Sequence, residues 1–241
     1  EEISPEKVKE LWPLAYTDDI LAGFMTPVDG RINPIDVTMA LAKGARMQGV
    51  QIIEETAVTG FIKEDQRVTG VTTDKGNIEA EYVVNCAGMW AREIGKLAGI
   101  NVPLQAAEHY YLITEKIDGI NDKLPIIVDL EKYAYYREEV GGVLFGLFEP
   151  VSAPWALDGI PKNFTFGEIQ PDWDRMMPYL EEAMKRIPAL ENAGIHKFFC
   201  GPESFTPDLG PMMGLAPELD NFYVAAGFNS LLGGARRALD Y

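Results

Sequence analysis

The segment Val83-Val84-Asn85-Cys86-Ala87-Gly88 joins a short apolar strand to small residues, and a helix is predicted from about Trp90 to Leu97. The segment Tyr223 to Ser230 has the same order, because a buried strand runs into Gly227-Phe228-Asn229-Ser230 before a last helix. Free N–H groups at the start of a helix favour negative charge, so each turn is a candidate phosphate-binding site. The alternative is that the small residues only let a helix pack closely on a strand.

The sequence around these two segments predicts further helices and strands. Asn33-Pro34 is a typical helix start, and Gly49 ends that helix. β-Branched runs predict four short strands at 50–54, 58–63, 68–73 and 78–84, with a hairpin turn at 74–76. Residues 103–150 are rich in predicted strands, and a helix with one apolar face is predicted over Asp172 to Arg186.

This order of elements predicts a fold of the α/β class combined with α+β. Residues 24–101 and 220–241 are expected to form part of a nucleotide-binding α/β layer. Residues 102–219 are expected to form an antiparallel sheet with a helix, and residues 1–23 a lead-in helix. The two main parts therefore interleave along the chain.

Composition and charge exclude several classes of protein. The chain has 241 residues, of which 47% are hydrophobic, and this composition is globular rather than disordered. A formal net charge of −16 argues against nucleic acid and anionic membrane surfaces as partners. No apolar run is long enough to span a bilayer, and the opening residues do not resemble a signal peptide. Two cysteines and two histidines make no disulfide framework or metal site, so we expect a reducing, cytoplasmic compartment.

The strand-rich part holds the candidates for chemistry. His109 can act as a base, and a histidine with a purely structural role is the alternative. Alternation places Tyr135 and Arg137 on one face of a strand and Tyr136 and Glu138 on the other. A phenol and a guanidinium suit a carboxylate ligand, whereas the alternative is an aromatic ladder with a surface ion pair.

A second polar segment, Gly201 to Asp208, is predicted as a rigid loop because it holds two prolines. It includes Phe205, and its side chains suit either a ligand or a plain structural turn.

Taken together, these segments resemble the FAD-dependent amine oxidoreductases of the D-amino-acid-oxidase superfamily. The resemblance is nearest to the dimethylglycine and sarcosine dehydrogenases and dimethylglycine oxidase, and it extends over nearly the whole chain in family order. The motifs that carry it include Val84 to Trp90, Glu108 to Tyr111, Tyr135 to Glu138, Gly201 to Asp208 and Asn221 to Ser230.

The resemblance implies an enzyme that oxidises an N-methylated amino acid or a related amine by hydride transfer to FAD. The resulting imine would hydrolyse to formaldehyde and the demethylated amine. His109 and Tyr135 would manage the proton of the amine, and Arg137 and Phe205 would bind the substrate. The nucleotide-binding layer is then a partial FAD-binding layer. The residues implied for cofactor binding are Val58, Cys86, Ala87, Gly88, Trp90, Gly227, Phe228, Asn229 and Ser230.

Two features depart from the family pattern. The glycine pattern G-x-G-x-x-G of a Rossmann unit is absent from the 241 residues, so we expect the sequence to be a fragment. Leu231-Leu232 joins directly to Gly233-Gly234, which shortens the loop expected beside the flavin. The same missing pattern counts against an NAD-linked dehydrogenase.

The alternative to an enzyme is a non-catalytic module that binds a small acid, or forms a homo-oligomer through exposed apolar surface. The sequence leaves open which amine is oxidised and whether oxygen or an electron-transfer flavoprotein accepts the electrons. A eukaryotic protein of this kind is expected in the mitochondrial matrix rather than the cytoplasm.

Overall fold

The computed structural model describes residues 1–228 and divides the chain into two compact units. The first unit comprises Glu1–Arg31, Glu108–Ala153 and Phe166–Gly201. The second unit comprises Ile32–Ala107, Pro154–Thr165 and the chain from Pro202. The mixed α/β and α+β class is confirmed. The assignment of 24–101 with 220–241 to a cofactor, and of 102–219 to a substrate, stays a prediction.

The described residues form four α-helices and thirteen β-strands. The helices are α1 (Pro5–Leu11), α2 (Pro34–Met47), α3 (Ala91–Ala98) and α4 (Trp173–Arg186). The strands are β1 (Glu2–Ile3), β2 (Gly23–Phe24), β3 (Val58–Glu64), β4 (Arg67–Thr73), β5 (Gly76–Glu79), β6 (Val83–Asn85), β7 (Gln105–Thr114), β8 (Ile127–Asp129), β9 (Ala134–Glu139), β10 (Gly142–Leu147), β11 (Ile195–Phe205), β12 (Met212–Leu215) and β13 (Phe222–Ala226).

A five-stranded sheet, ordered β11-β7-β10-β9-β8, forms the body of the first unit. One face of this sheet is buried, because Leu112, Tyr136 and Phe145 are each at most 1% exposed. They belong to one core cluster with Met176 and Ala183 of α4. Burying a large apolar side chain stabilises a fold by about 1.5–3 kcal/mol, so this face is firmly fixed against α4. The opposite face of the sheet carries the candidate residues described below.

The opening segment, predicted as a lead-in helix, belongs to the core of the first unit. Trp12 is 1% exposed, and its Nε1 donates to the Pro125 carbonyl at 2.6 Å. Arg186, at the end of α4, donates to the carboxylates of Asp19 and Asp129 at 2.7 and 2.8 Å. The hydrogen bonds of Trp12 and of Asp19 both connect distant parts of the chain. Tertiary contacts rather than local helix propensity therefore hold the segment in place.

Two three-stranded sheets, ordered β12-β13-β6 and β3-β4-β5, make up the second unit with α2 and α3. Val68, Ala91 and Phe222 are fully buried in its core, and Phe61 meets Phe222 edge-on at 5.2 Å between ring centroids. The predicted cap of α2 is confirmed, since the Asn33 side chain accepts from two backbone N–H groups, at 2.9 and 3.3 Å. Within this unit β6 and β13 are parallel, whereas β12 and β13 are antiparallel.

Three local predictions differ from the structure. Residues 50–54 form no strand, and residues 78–84 are divided between β5 and β6. The segment predicted as a loop from Gly201 begins within β11, which continues to Phe205. β11 is an edge strand, where Pro202 removes no hydrogen bond that an inner strand would need. The predicted last helix lies outside the described residues.

Across residues 1–228, the helices are too short or too polar to traverse a lipid bilayer.

Candidate functional site

The exposed face of the first unit's sheet brings together three of the predicted site residues. Gly146 of β10 pairs with Tyr111 of β7 on one side and with Tyr135 of β9 on the other. Because residues directly opposite each other share a face, Tyr111 and Tyr135 lie on the same side of the sheet. His109 and Arg137 lie on this side too, each two residues from one of these tyrosines.

The ring of Tyr135 occupies the space that a side chain at residue 146 would fill, and Gly146 leaves this space open. A Cβ atom at Gly146 would lie 2.1 Å from Cζ and 2.3 Å from the hydroxyl oxygen of Tyr135. The ring therefore lies directly over Gly146, where any larger residue would displace it. It also packs against Phe148, with the ring centroids 5.2 Å apart.

His109 lies beside a buried carboxylate. Its Nδ1 is 3.3 Å from Oε1 and 3.2 Å from Oε2 of Glu149. The His109 side chain is 16% exposed and that of Glu149 only 5%. The contact with Oε1 has hydrogen-bond geometry, whereas Oε2 is buried and makes no hydrogen bond within the described part of the chain. This pair was not predictable from local sequence patterns, because 40 residues separate its members.

Arg137 forms an ion pair with Glu139, at 2.5 Å between Nη1 and Oε2. Both side chains are about 30% exposed, so solvent and ligands can reach them. This pair, with the packing of Tyr135 on Phe148, has the form expected for a structural ladder. The same groups would also be available to a carboxylate ligand that exchanges with Glu139.

Burial holds the side chains of Tyr110, on β7, and Cys200, on β11, in their neutral forms. Burial raises the pKa of Tyr110, and so does the hydrogen bond that its hydroxyl donates to Glu108. Burial also raises the pKa of the Cys200 thiol to about 11. A thiol with that pKa stays protonated at neutral pH, so Cys200 is no nucleophile.

In the second unit, the two predicted strand-to-helix turns meet at one edge. Since β6 and β13 run parallel, the residues that follow them lie at the same end of the sheet. Cys86, Ala87 and Gly88 follow β6, and Gly227 and Phe228 follow β13. The edge beyond the carboxyl ends of parallel strands is where α/β folds bind nucleotides.

The turn after β6 is built by Asn85, a residue the sequence did not single out. Asn85 is 3% exposed, its Nδ2 donates to the Ala91 carbonyl at 2.9 Å, and its Oδ1 accepts from the Ala87 N–H at 3.3 Å. Gly88 has φ +57°, and a Cβ atom there would meet nothing within 4 Å. The exposed backbone of this turn fits the close approach of a cofactor such as FAD.

A cavity of about 440 Å³ lies in the second unit, and Phe205 lines it. Arg92 also lines it and donates to Gln105 Oε1 at 2.6 Å. Thr206, another lining residue, approaches Gly227, because a Cβ atom at Gly227 would lie 2.5 Å from Thr206 Cγ2. The cavity therefore borders the turn that follows β13.

The remaining predicted cofactor residues are dispersed or outside the described part. Val58 begins β3, in the other sheet of the second unit, and is half-buried. Trp90 precedes α3 and is 40% exposed, and Phe228 is 39% exposed. Asn229 and Ser230 lie outside the described residues. Within 1–228, no group of three or more His, Cys, Asp or Glu side chains is arranged to hold a metal ion.

Comparison with known proteins relates the whole described chain to one family. The family model for the DAO family, described as FAD dependent oxidoreductase, matches residues 1–232. A 4-methylaminobutanoate oxidase (formaldehyde-forming) of Paenarthrobacter nicotinovorans is 41% identical over 228 residues, covering 95% of this chain and 28% of that protein. Mouse mitochondrial sarcosine dehydrogenase is 40% identical, covering 96% of this chain and 26% of that protein.

Not every relative at this similarity is named as an enzyme of amine oxidation. The mouse mitochondrial pyruvate dehydrogenase phosphatase regulatory subunit is also 40% identical, covering 98% of this chain and 28% of that protein. Among solved structures, L-proline dehydrogenase from P. horikoshii matches with a TM-score of 0.81 and 30% identity. That match covers 95% of this chain and 59% of the dehydrogenase.

The chain spans about a quarter of the length of the curated relatives that it matches. The family model nevertheless covers almost every residue, and the parallel strand edge with its two turns agrees with a nucleotide-binding fold. The chain belongs to the DAO family of FAD-dependent oxidoreductases.

Proposed function

We propose that this chain is the substrate-binding region and part of the FAD-binding region of an enzyme that oxidises N-methylated amino acids. The observation that carries the proposal is the single sheet face shared by His109, Tyr135 and Arg137. A base, a phenol and a guanidinium on one exposed face are the groups that a small amino acid with a secondary or tertiary amine requires.

The spacing of the three residues suits a small substrate. β7 and β9 flank β10, so their backbones lie about 10 Å apart at the usual strand separation. Arg137 would bind the substrate carboxylate in place of Glu139. His109 and Tyr135 would take the proton of the substrate ammonium, because only the neutral amine readily gives up hydride.

The cofactor would be held in the second unit. The backbone of Cys86, Ala87 and Gly88 and the turn at Gly227 and Phe228 would hold FAD, with Val58, Trp90, Asn229 and Ser230 as further contacts. When bound, FAD supplies the acceptor for the hydride. Phe205, which lines the cavity beside Gly227, would contribute an apolar contact within the second unit.

The experiment is an anaerobic substrate panel. FAD-loaded protein is mixed with sarcosine, dimethylglycine and 4-methylaminobutanoate, and flavin bleaching and formaldehyde are measured. We expect bleaching with at least one of these amines, and a KM raised about tenfold or more in Arg137→Gln because a charged hydrogen bond is lost. Bound flavin that none of the amines bleaches would contradict the proposal.

A second candidate function is self-association without catalysis. Helix α2 has no buried side chain, and Ile35, Met39 and Met47 on it are 59–75% exposed. Apolar surface of this kind usually binds a partner, and we propose a second copy of this chain as its occupant. A role without catalysis is consistent with the name of one relative, the pyruvate dehydrogenase phosphatase regulatory subunit.

The proposal also includes the electron acceptor of the enzyme and the cellular compartment in which it works. We infer that electrons pass to oxygen or to an electron-transfer flavoprotein. In a eukaryote the protein would work in the mitochondrial matrix, since the mouse relatives are named as mitochondrial proteins, and in a bacterium it would work in the cytoplasm.

A further inference from the structure

Glu149 is a buried acidic side chain in direct contact with His109, a proposed catalytic residue. It follows β10 and lines a cavity of about 290 Å³ with Tyr110, Arg175 and Tyr179. Its side chain is 5% exposed, and its distances to His109 Nδ1 are 3.2 and 3.3 Å. Burying a carboxylate costs free energy unless a cation or a hydrogen-bond donor compensates its charge. The contact with His109 therefore helps to offset the cost of burying Glu149.

We propose that Glu149 is a positioning residue that accepts the Nδ1–H hydrogen bond of His109 and thereby makes Nε2 the nitrogen that exchanges protons with the substrate. This inference rests on the proposed function. In a neutral imidazole one nitrogen carries hydrogen and the other a lone pair, so a carboxylate at Nδ1 selects the tautomer with the lone pair on Nε2.

The chemistry balances without another reactant. Nε2 of neutral His109 accepts one proton from the substrate ammonium, which leaves a neutral amine and an imidazolium. The negative charge of Glu149 then stabilises that imidazolium in a region of low dielectric constant. Restoring the histidine requires only that the same proton leaves to solvent.

Other charged and titratable groups surround the pair. Glu108 and Tyr110 lie on β7, Arg175 and Tyr179 lie on α4, and Cys200 lies on β11. Arg175 is 4.0 Å from Glu108 and 3.3 Å from Asp172. Two carboxylates therefore compete for the guanidinium nearest the cavity, while Glu149 contacts the imidazole.

The first test does not require the protein to be catalytically active. Nuclear magnetic resonance of imidazole nitrogens in the 241-residue chain reports the tautomer and titration of both histidines, His109 and His196. Glu149→Gln keeps the shape of the side chain and removes its charge. We expect the titration midpoint of His109 to move down by about one pH unit and its Nδ1–H tautomer to lose its dominance, with His196 unchanged.

The matched control is Glu115→Gln. Glu115 lies 3.5 Å from His196, but both side chains are at least 60% exposed, so removing this solvent-screened charge should leave the tautomer of His109 unchanged. A titration midpoint and tautomer of His109 that are the same in wild type and Glu149→Gln would overturn the inference. If Glu149→Gln does not fold, Glu149→Asp keeps the charge but shortens its reach, and it should weaken the same tautomer preference.

The second test uses FAD-loaded protein. The acid limb of the pH profile for flavin reduction should move in Glu149→Gln by the same amount as the His109 titration, with KM little changed. An unmoved pH profile in an active variant contradicts the role of Glu149. Failure of the wild type to oxidise any N-methylated amino acid contradicts the proposed function instead, and the resonance measurement still decides whether Glu149 holds His109.

Discussion

The space over Gly146 fixes the position of the Tyr135 ring, since a methyl group there would overlap the ring end. We expect Gly146→Ala to move the ring rather than the backbone, because the atoms that clash are the far end of a side chain. The rate of amine oxidation should fall about tenfold or more, while the free energy of unfolding changes by only about 1 kcal/mol. Stopped-flow flavin reduction and urea unfolding measure the two effects.

Tyr135→Phe is the control for that substitution, because it keeps the ring and removes the hydroxyl. If Tyr135 only forms an aromatic ladder, both variants will oxidise amines at the wild-type rate.

Glu138 gives the first unit a pH-dependent contribution to stability. Its carboxylate accepts from the Gly141 N–H at 2.9 Å and from Arg31 at 2.7 Å, and these contacts lower its pKa. A lowered folded-state pKa stabilises the protein above the ordinary value of 4.5 and ceases to do so as the pH falls through the folded value. Glu138→Gln should therefore lower the free energy of unfolding by about 1–3 kcal/mol at pH 7.

The difference between Glu138→Gln and wild type should shrink as the pH falls below the ordinary value of 4.5 and through the lowered folded-state value, where the native carboxylate also becomes neutral. Urea unfolding at a series of pH values measures it. A difference that stays constant between pH 7 and pH 3 would mean that the charge of Glu138 contributes nothing.

Single residues of the site were predictable where a local pattern places them. The alternation of Tyr135, Tyr136 and Arg137 gave their faces correctly, because period-2 geometry depends only on neighbouring residues. Gly146 and Glu149 were not predictable. Their roles depend on pairing with Tyr135 and on contact with His109, and no local pattern encodes which distant segments meet.

At the scale of elements, the hairpin of β4 and β5 depends on the absence of a side chain at Gly70. A Cβ atom there would lie 2.4 Å from the Ile78 carbonyl oxygen, and a backbone atom cannot move aside as a side chain can. We expect Gly70→Ala to lower the free energy of unfolding by about 1–3 kcal/mol. Thermal or urea unfolding measures the change.

Gly44 in α2 is the matched control, since a Cβ atom there meets nothing within 4 Å. Gly44→Ala should raise the free energy of unfolding by about 0.5–1 kcal/mol, because alanine favours the helix. Equal effects of the two substitutions would show that the packing at Gly70 is irrelevant.

Elements with strong local signals were predicted well. The cap at Asn33, and the apolar face of α4 that includes Met176 and Leu180, agree with the structure. The strand predicted at 50–54 is absent, because β propensity forms a strand only beside a partner and no described residue pairs there. Pro202 and Pro207 suggested a loop from Gly201, but Pro202 lies in β11, and an edge strand tolerates it.

At the scale of the whole molecule, the exposed apolar side of α2 predicts self-association of the isolated chain. Met39 is 59% exposed, so we expect Met39→Lys to weaken concentration-dependent association in sedimentation velocity without loss of stability. Asn77→Lys adds the same charge on β5, whose residues are all exposed, and should leave association unchanged. A wild-type chain that stays monomeric at all concentrations would contradict self-association through α2.

The most direct test of the proposed amine chemistry is the rate of anaerobic flavin reduction by an N-methylated amino acid in FAD-loaded protein. His109→Ala should slow this rate by about 10²-fold or more, because positioned proton transfer contributes at least that much. His196→Ala, which changes the second of the chain's two histidines, should leave the rate unchanged. An equal rate in wild type and His109→Ala would contradict the assignment of this sheet face as the substrate face.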